Sequence, residues 1–241
     1  MRLDVYISDT GLAASRSEAK RLISEGHVTV DGRVINKPAF DVSGFEEKIS
    51  IESIHSYASR GGLKLEAALR SFSVSCAGKK CLDIGASTGG FTDCLLAEGA
   101  EHVIAVDSGT GQLIPRLLSD SRVTSIENYN ARYMQSDDFE YIPTLAVMDV
   151  SFISATYIIE PLASVIPKGA EFICLIKPQF EVGRAGLSKG GIVKDEKLRN
   201  LAVKKVVDFA ALCGFLNRGL IESPIKGGDG NTEFLAYFER V

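Results

Sequence analysis

The 241 residues contain no apolar run approaching the ~20 that a membrane span needs. The first residues, Met1-Arg2-Leu3-Asp4-Val5, are charged and lack a signal-peptide core, so the chain is expected in the cytoplasm with no membrane partner. Cysteine is sparse, with five residues at 76, 81, 94, 174 and 213 and no Cys-x-x-Cys spacing. Cys81 and Cys174 sit inside apolar runs, which favours buried free thiols over disulfides or zinc ligands. The three histidines, at 27, 55 and 102, are too scattered for a metal site, and none is expected. No Gly-x-x-x-x-Gly-Lys-Ser/Thr run exists, which removes a phosphate cradle of that kind. Net charge is −4, which argues against an indiscriminate nucleic-acid coat. A local basic face stays open, because affinity follows the charges set against phosphates. No repeat or low-complexity segment is present. With 45% hydrophobic residues, the chain can bury one substantial core and carry a small appended domain.

What the chain does have is Cys81-Leu-Asp-Ile-Gly-Ala-Ser-Thr-Gly-Gly-Phe-Thr92. It reads as a buried strand ending near Asp83, a small-residue loop from Gly85 to Gly90, and a helix starting near Phe91. Glycines at 85, 89 and 90 let the backbone turn sharply and approach a ligand closely. The next apolar run, His102–Asp107, ends in an acid placed to hold the two hydroxyls of a ribose. Three chemistries compete for this loop. A dinucleotide fingerprint wants a glycine where Ser87 stands. Gly85-Ala-Ser87-Thr-Gly89 also matches a nucleophile elbow, but that fold needs a histidine much later in the chain, and only His102 follows. S-adenosylmethionine (SAM) fits best, with a purely structural tight turn as the alternative. The cofactor set is Asp83, Gly85, Ala86, Ser87, Thr88, Gly89, Gly90, Phe91 and Asp107.

From about residue 60 the rhythm is strand and helix in alternation. Helix Gly61–Phe72 precedes strands at 79–84, 102–107, 122–126, 144–150 and 171–177. Helices at 111–119, 154–165 and about 195–212 lie between them. Two final runs, 216–222 and 233–238, flank a turn at 227–231. This is an α/β, Rossmann-like pattern with a mostly parallel, seven-stranded sheet and one reversed strand. The first sixty residues differ. Short helices open at Arg2 and at Ser15–Ile23, the second with Ser15 or Ser17 as its cap. A hairpin turned at Asp31-Gly32 and a strand near 48–51 follow. Arg16, Lys20 and Arg21 can share one helix flank, with Arg33 on the hairpin. They form either a solvated face or a phosphate-contacting surface.

Substrate and cofactor in such a sheet meet at the carboxyl ends of the strands. Asp149 and Lys177 each close an apolar run there, and a lysine in that position is costly unless paired or functional. A plain buried ion pair is the alternative. Asp149-Val-Ser-Phe lacks the Asp/Asn-Pro-Pro-Tyr run that grips an exocyclic base amine. Cys174 is buried mid-strand, three residues before Lys177, and faces away. A hydroxyl acceptor remains.

The first fifty residues resemble the alpha-L RNA-binding module, on Leu3-Asp4, Ser15-Arg16, Ala19, Leu22-Ile23, Gly26, Val28 and Val30-Asp31-Gly32. Over its whole length the chain resembles the TlyA (haemolysin A) family of ribosomal RNA methyltransferases, whose catalytic domain is similar to FtsJ-type 2′-O-methyltransferases. The matching segments include Ser59-Arg-Gly-Gly-Leu-Lys-Leu, Asn130-Ala-Arg, Asp149-Val-Ser-Phe-Ile-Ser, Lys177-Pro-Gln-Phe-Glu, Gly190-Gly-Ile-Val and Gly230-Asn231 with Glu233. The resemblance implies a tetrad of Lys64, Asp149, Lys177 and Glu233. It also implies Asn130 at the cofactor, and Arg2 and Arg60 beside the other cations on RNA. Implied too are a small α+β RNA-binding domain at 1–54, a linker at 55–60 and a methyltransferase domain at 61–241. Ribosomal RNA or ribosomal subunits would be the partner, and the 2′-hydroxyl of a cytidine the acceptor. One departure is His55-Ser-Tyr57-Ala, where the family has an arginine and a tryptophan. The older family name raises a membrane-lysing alternative, and an RNA-binding protein with an inactive enzyme domain is a third reading. The pattern leaves oligomeric state open.

Overall fold

The computed structural model describes residues 1–13, 15–24, 26–51 and 57–241, in two compact units, 1–56 and 57–241. The segment 52–56, including His55 and Ser56 of the departing linker sequence, lies outside the described residues, as does the side chain of Arg21.

In the first unit, helices α1 (Leu3–Asp9) and α2 (Arg16–Ser24) are followed by strands β1 (Val28–Val30), β2 (Arg33–Val34) and β3 (Ile49–Ile51). Leu3 and Ile7, four apart on α1, meet Ala19, Leu22 and Ile23 on α2 and the inward residues Val28 and Val30 of β1. The sheet order is β2-β1-β3, all antiparallel. Ser15 caps α2, its Oγ accepting from the Glu18 N–H at 3.2 Å.

The second unit begins with α3 (Gly61–Phe72), β4 (Lys80–Ile84), α4 (Gly90–Ala97) and β5 (His102–Val106). It continues through α5 (Pro115–Leu118), β6 (Val123–Ile126), β7 (Leu145–Met148) and α6 (Thr156–Val165). It closes with β8 (Glu171–Ile176), α7 (Glu196–Leu212), β9 (Phe215–Glu222) and β10 (Phe234–Arg240). The sheet order is β6-β5-β4-β7-β8-β10-β9, and only β10 runs against its neighbours. Side chains alternate across β4. Leu82 and Ile84 join a core with α6 and α7, whereas Cys81 joins one with α3 and α4. The helix expected over 111–119 is reduced to α5. Gly111 takes φ +63° and Ile114 is extended, so the helix starts only at Pro115, which suits a first turn.

The chain leaves β4 toward β5 and β6, then returns to β7 on the other side. The strand order therefore reverses between β4 and β7, where a crevice opens at the carboxyl ends of the strands.

Candidate active site

Two adjoining cavities occupy that crevice. The first, of about 400 Å³, is walled by Ile84, Val106, Val150, Ile153 and Ile158, with Asp107 and Asn130 among its polar groups. The second, of about 290 Å³, is lined by Ser59, Arg60, Lys64, Thr88, Gly90, Phe91 and Lys177. Gly85, Ser87, Asp149 and Ser151 border both. Asp149 thus stands where the two spaces meet.

The glycine loop is built for close approach. Gly85 has φ +84°, and a Cβ there would lie 2.5 Å from the Asp149 carbonyl oxygen. Gly89 has φ +99°, and its Cβ would strike Leu117 of α5. These two positions pack the loop against β7 and α5 and leave the cradle open. Asp107 is oriented before any ligand arrives. Its Oδ2 accepts from the Ser87 N–H at 2.8 Å and its Oδ1 from the Gly109 N–H at 2.7 Å. Each oxygen keeps a lone pair for a hydroxyl. An apolar-walled space with a fixed carboxylate suits a nucleoside such as that of SAM, with Asp107 and the Gly85–Gly90 backbone as the groups that could hold it. Asn130 turns its own Oδ1 onto the Arg132 N–H at 3.2 Å, bracing that wall. Ala86, within the loop, is buried.

Asp83 sits behind the cradle and is fully buried. Thr92 of α4 donates to its Oδ2 at 2.6 Å, and Oδ1 has no hydrogen-bond partner. Burial pushes its pKa up to about 7, with the Thr92 bond opposing and Asp149 and Asp107 adding to the rise.

Two lysine–carboxylate pairs stand at the second cavity. Lys177 Nζ lies 2.5 Å from Asp149 Oδ1 and donates to Ser151 Oγ at 2.8 Å. Lys64 Nζ donates to Glu233 Oε2 at 2.5 Å, with both side chains buried. Residues from α3, β7, β8 and the start of β10 are assembled because β7, β8 and β10 are neighbours in the sheet. Each lysine thus has its own carboxylate. Burial raises the Cys174 thiol well above its ordinary range, which removes it as a nucleophile. Ser87 lies beyond the carboxyl end of β4, while His102 opens β5 opposite Lys80, so the two stand at opposite ends of the sheet. Ser87 and His102 therefore cannot share a hydrolase triad.

Three residues not singled out in the sequence belong here. Ser151 holds Lys177. Phe152 adopts φ +65°, costly for a residue with a Cβ, yet its ring is 92% exposed beside Phe180. Glu181 accepts from the Ala155 N–H at 2.8 Å, the Ser154 hydroxyl at 2.6 Å and Lys205 at 2.8 Å. The Asp-Val-Ser-Phe-Ile-Ser run was visible, but its strain and clamp depend on partners remote in sequence.

Of the basic residues in the first unit, Arg2 and Arg16 both bind Asp4, at 2.9 and 3.1 Å, while each remains about half exposed. Their guanidinium groups hold Asp4 down at about 2. Lys20 and Arg33 are exposed. Arg60, exposed at the start of α3, lines the second cavity instead.

Comparison with known proteins agrees with this geometry. The FtsJ-like methyltransferase pattern matches residues 57–240, and the S4 domain pattern matches residues 1–48. Hemolysin A of Brachyspira hyodysenteriae is 44% identical over 99% of both chains. The 16S/23S rRNA (cytidine-2′-O)-methyltransferase TlyA of Mycobacterium tuberculosis is 40% identical over 98% of this chain and 88% of its own. A solved structure of a hemolysin-named protein from Streptococcus thermophilus superposes with a TM-score of 0.77 at 43% identity, covering 100% of this chain and 88% of its own. Motif, cavity and whole-length similarity agree: this chain belongs to the SAM-dependent FtsJ-like methyltransferases, among the TlyA and haemolysin A proteins that carry an N-terminal S4 domain.

Proposed function

We propose that this protein methylates the 2′-hydroxyl of a ribose in ribosomal RNA, at cytidine as in the TlyA name, through Lys64, Asp149, Lys177 and Glu233. The observation that carries the reading is the Lys177–Asp149 pair on the wall shared by the nucleoside cavity and the acceptor cavity. Bound SAM supplies an electrophilic methyl group. Asp107, Asn130 and the Gly85–Gly90 backbone hold it. In the second cavity, Lys177 meets the 2′-hydroxyl and orients its lone pair, and the Asp149 carboxylate beside it accepts the departing proton. Lys64, fixed by Glu233, places a second positive charge beside the acceptor. Holding oxygen and methyl at attack distance supplies much of the acceleration. The exposed ring of Phe152, carried on a left-handed backbone, offers a face for the target base. The S4 domain, with Arg2, Arg16, Lys20, Arg21 and Arg33, grips structured RNA, and Arg60 meets the phosphate nearest the reacting ribose. Residues 1–54, 55–60 and 61–241 act as RNA-binding domain, linker and catalytic domain. A ribosomal substrate places the work in the cytoplasm.

The test is incubation of the purified protein with SAM and unmethylated ribosomal subunits, followed by mass mapping of ribose methylation. A 2′-O-methylcytidine appearing only with the protein is the expected result. Methyl groups on bases, or none on RNA, would overturn the proposal.

A further inference from the structure

Arg132, on the wall of the first cavity, stands with two tyrosines that have no part in the tetrad or in the cofactor contacts given above. The guanidinium of Arg132 stands over two rings, 5.8 Å from the centroid of Tyr133 and 5.1 Å from that of Tyr157. Both rings face outward, Tyr133 at 69% and Tyr157 at 58% exposure, and Arg132 is exposed with them. The neighbouring residues already anchor these segments, since Met134 and Ile158 are buried in the core. The tyrosines are therefore not needed to hold the fold. Arg132 makes no ion pair among the described residues, so its charge is unspent. Its planar cation, laid against aromatic faces, is also set in orientation.

The chemistry of such a surface points to one kind of occupant. Every nucleobase has a π-face that stacks on an aromatic ring or a guanidinium plane, and the adjoining phosphate is attracted by the cation. A base inside a continuous helix has both faces covered, so only an unpaired or splayed nucleotide can use the surface. Arg132 lines the first cavity together with Phe152 and Asp149, and Asp149 is the residue at which that cavity meets the acceptor cavity, so the patch lies on the cofactor side of the shared wall. We infer that Tyr133, Arg132 and Tyr157 form a stacking platform for an unpaired nucleotide next to the target. The enzyme then takes its ribose from a locally unstacked segment of RNA rather than from an intact helix. This inference rests on the RNA-methylating reading given above.

The experiment compares Tyr133→Ala with Tyr157→Ala, combined in one full-length chain, against Tyr133→Phe with Tyr157→Phe. Methylation of unmethylated ribosomal subunits at saturating SAM supplies KM and kcat, and calorimetry supplies SAM affinity. The alanine pair should raise KM for RNA about tenfold, leave kcat within about twofold and leave SAM affinity and melting temperature unchanged. The phenylalanine pair, which keeps both rings, should restore KM. An alanine pair with the wild-type KM, or a phenylalanine pair that fails to restore it, would overturn the stacking role. A wild-type protein that methylates no RNA would instead overturn the reading beneath it.

Discussion

Asp83 is a fully buried carboxyl group hydrogen-bonded by Thr92, sharing its neighbourhood with Asp149 and Asp107. In the unfolded chain it titrates near 3.8, whereas in the folded protein the same proton stays on up to about pH 7. Its stabilising contribution is therefore complete below about pH 4 and is lost as pH rises to about 7. Asp83→Asn should remove this decline, with a difference on the order of 3–4 kcal/mol at pH 7. Denaturant titrations at several pH values would show it, and an unchanged slope in the variant would assign the decline to another group. Lys177→Ala gives a second contrast. If the residue only balances Asp149, its loss leaves a partly buried carboxylate unpaired and costs about 3–5 kcal/mol. If it handles the hydroxyl proton, the protein should stay folded, bind SAM and RNA, and lose methyl transfer. Thermal melting together with a methylation assay separates the outcomes, and near-normal methylation would remove Lys177 from the mechanism.

At the scale of the element, the loop after β7 carries Asp149, Ser151 and Phe152, and its shape is imposed from outside. Glu181, just past Lys177, binds the Ser154 hydroxyl and the Ala155 N–H, and so straps the end of one loop to the start of the next. Lys205 of α7 fixes the same carboxylate. This strap holds the segment that follows the left-handed Phe152. Glu181→Ala should cost about 2–4 kcal/mol by stranding these donors. It should also lower kcat more than it weakens SAM binding, because Asp107 and the glycine loop are untouched. Equal losses in kcat and SAM affinity would mean that the whole crevice, not this loop, depends on the strap.

For the whole molecule, the two compact units divide the labour proposed here. Arg2 and Arg16 are tied to the buried Asp4, so replacing either would disturb the fold of the first unit as well as any phosphate contact. Lys20 and Arg33 are cleaner probes, being exposed. Lys20→Ala with Arg33→Ala should reduce the slope of log affinity for ribosomal RNA against log salt by about 1.4–1.8, at 0.7–0.9 per lost phosphate contact. SAM affinity should not move. An unchanged salt slope would make these cations part of a solvated face. Among the described residues no helix is long and apolar enough to cross a membrane, and α7 turns Ala202, Val203, Val206 and Ala210 to the core.

The glycine-loop motif, the alternation of strands and helices and the module of the first fifty residues were legible because they rest on local rules. Backbone turns need glycine where φ is positive, and apolar periodicity follows the geometry of a helix or strand. Asp149 and Lys177 stood out for a related reason, as charges that close apolar runs. Their partners were another matter. No sequence rule pairs Glu233 with Lys64 rather than with Lys177, or brings Glu181 to Ser154 and Ala155. Those contacts arise because β10 inserts between β8 and β9, and because the loops after β7 and β8 end side by side. The strained and exposed Phe152, the shortened α5 and the platform at Arg132 share that origin. Each is decided by which residues pack beneath it, and packing is a property of the assembled sheet.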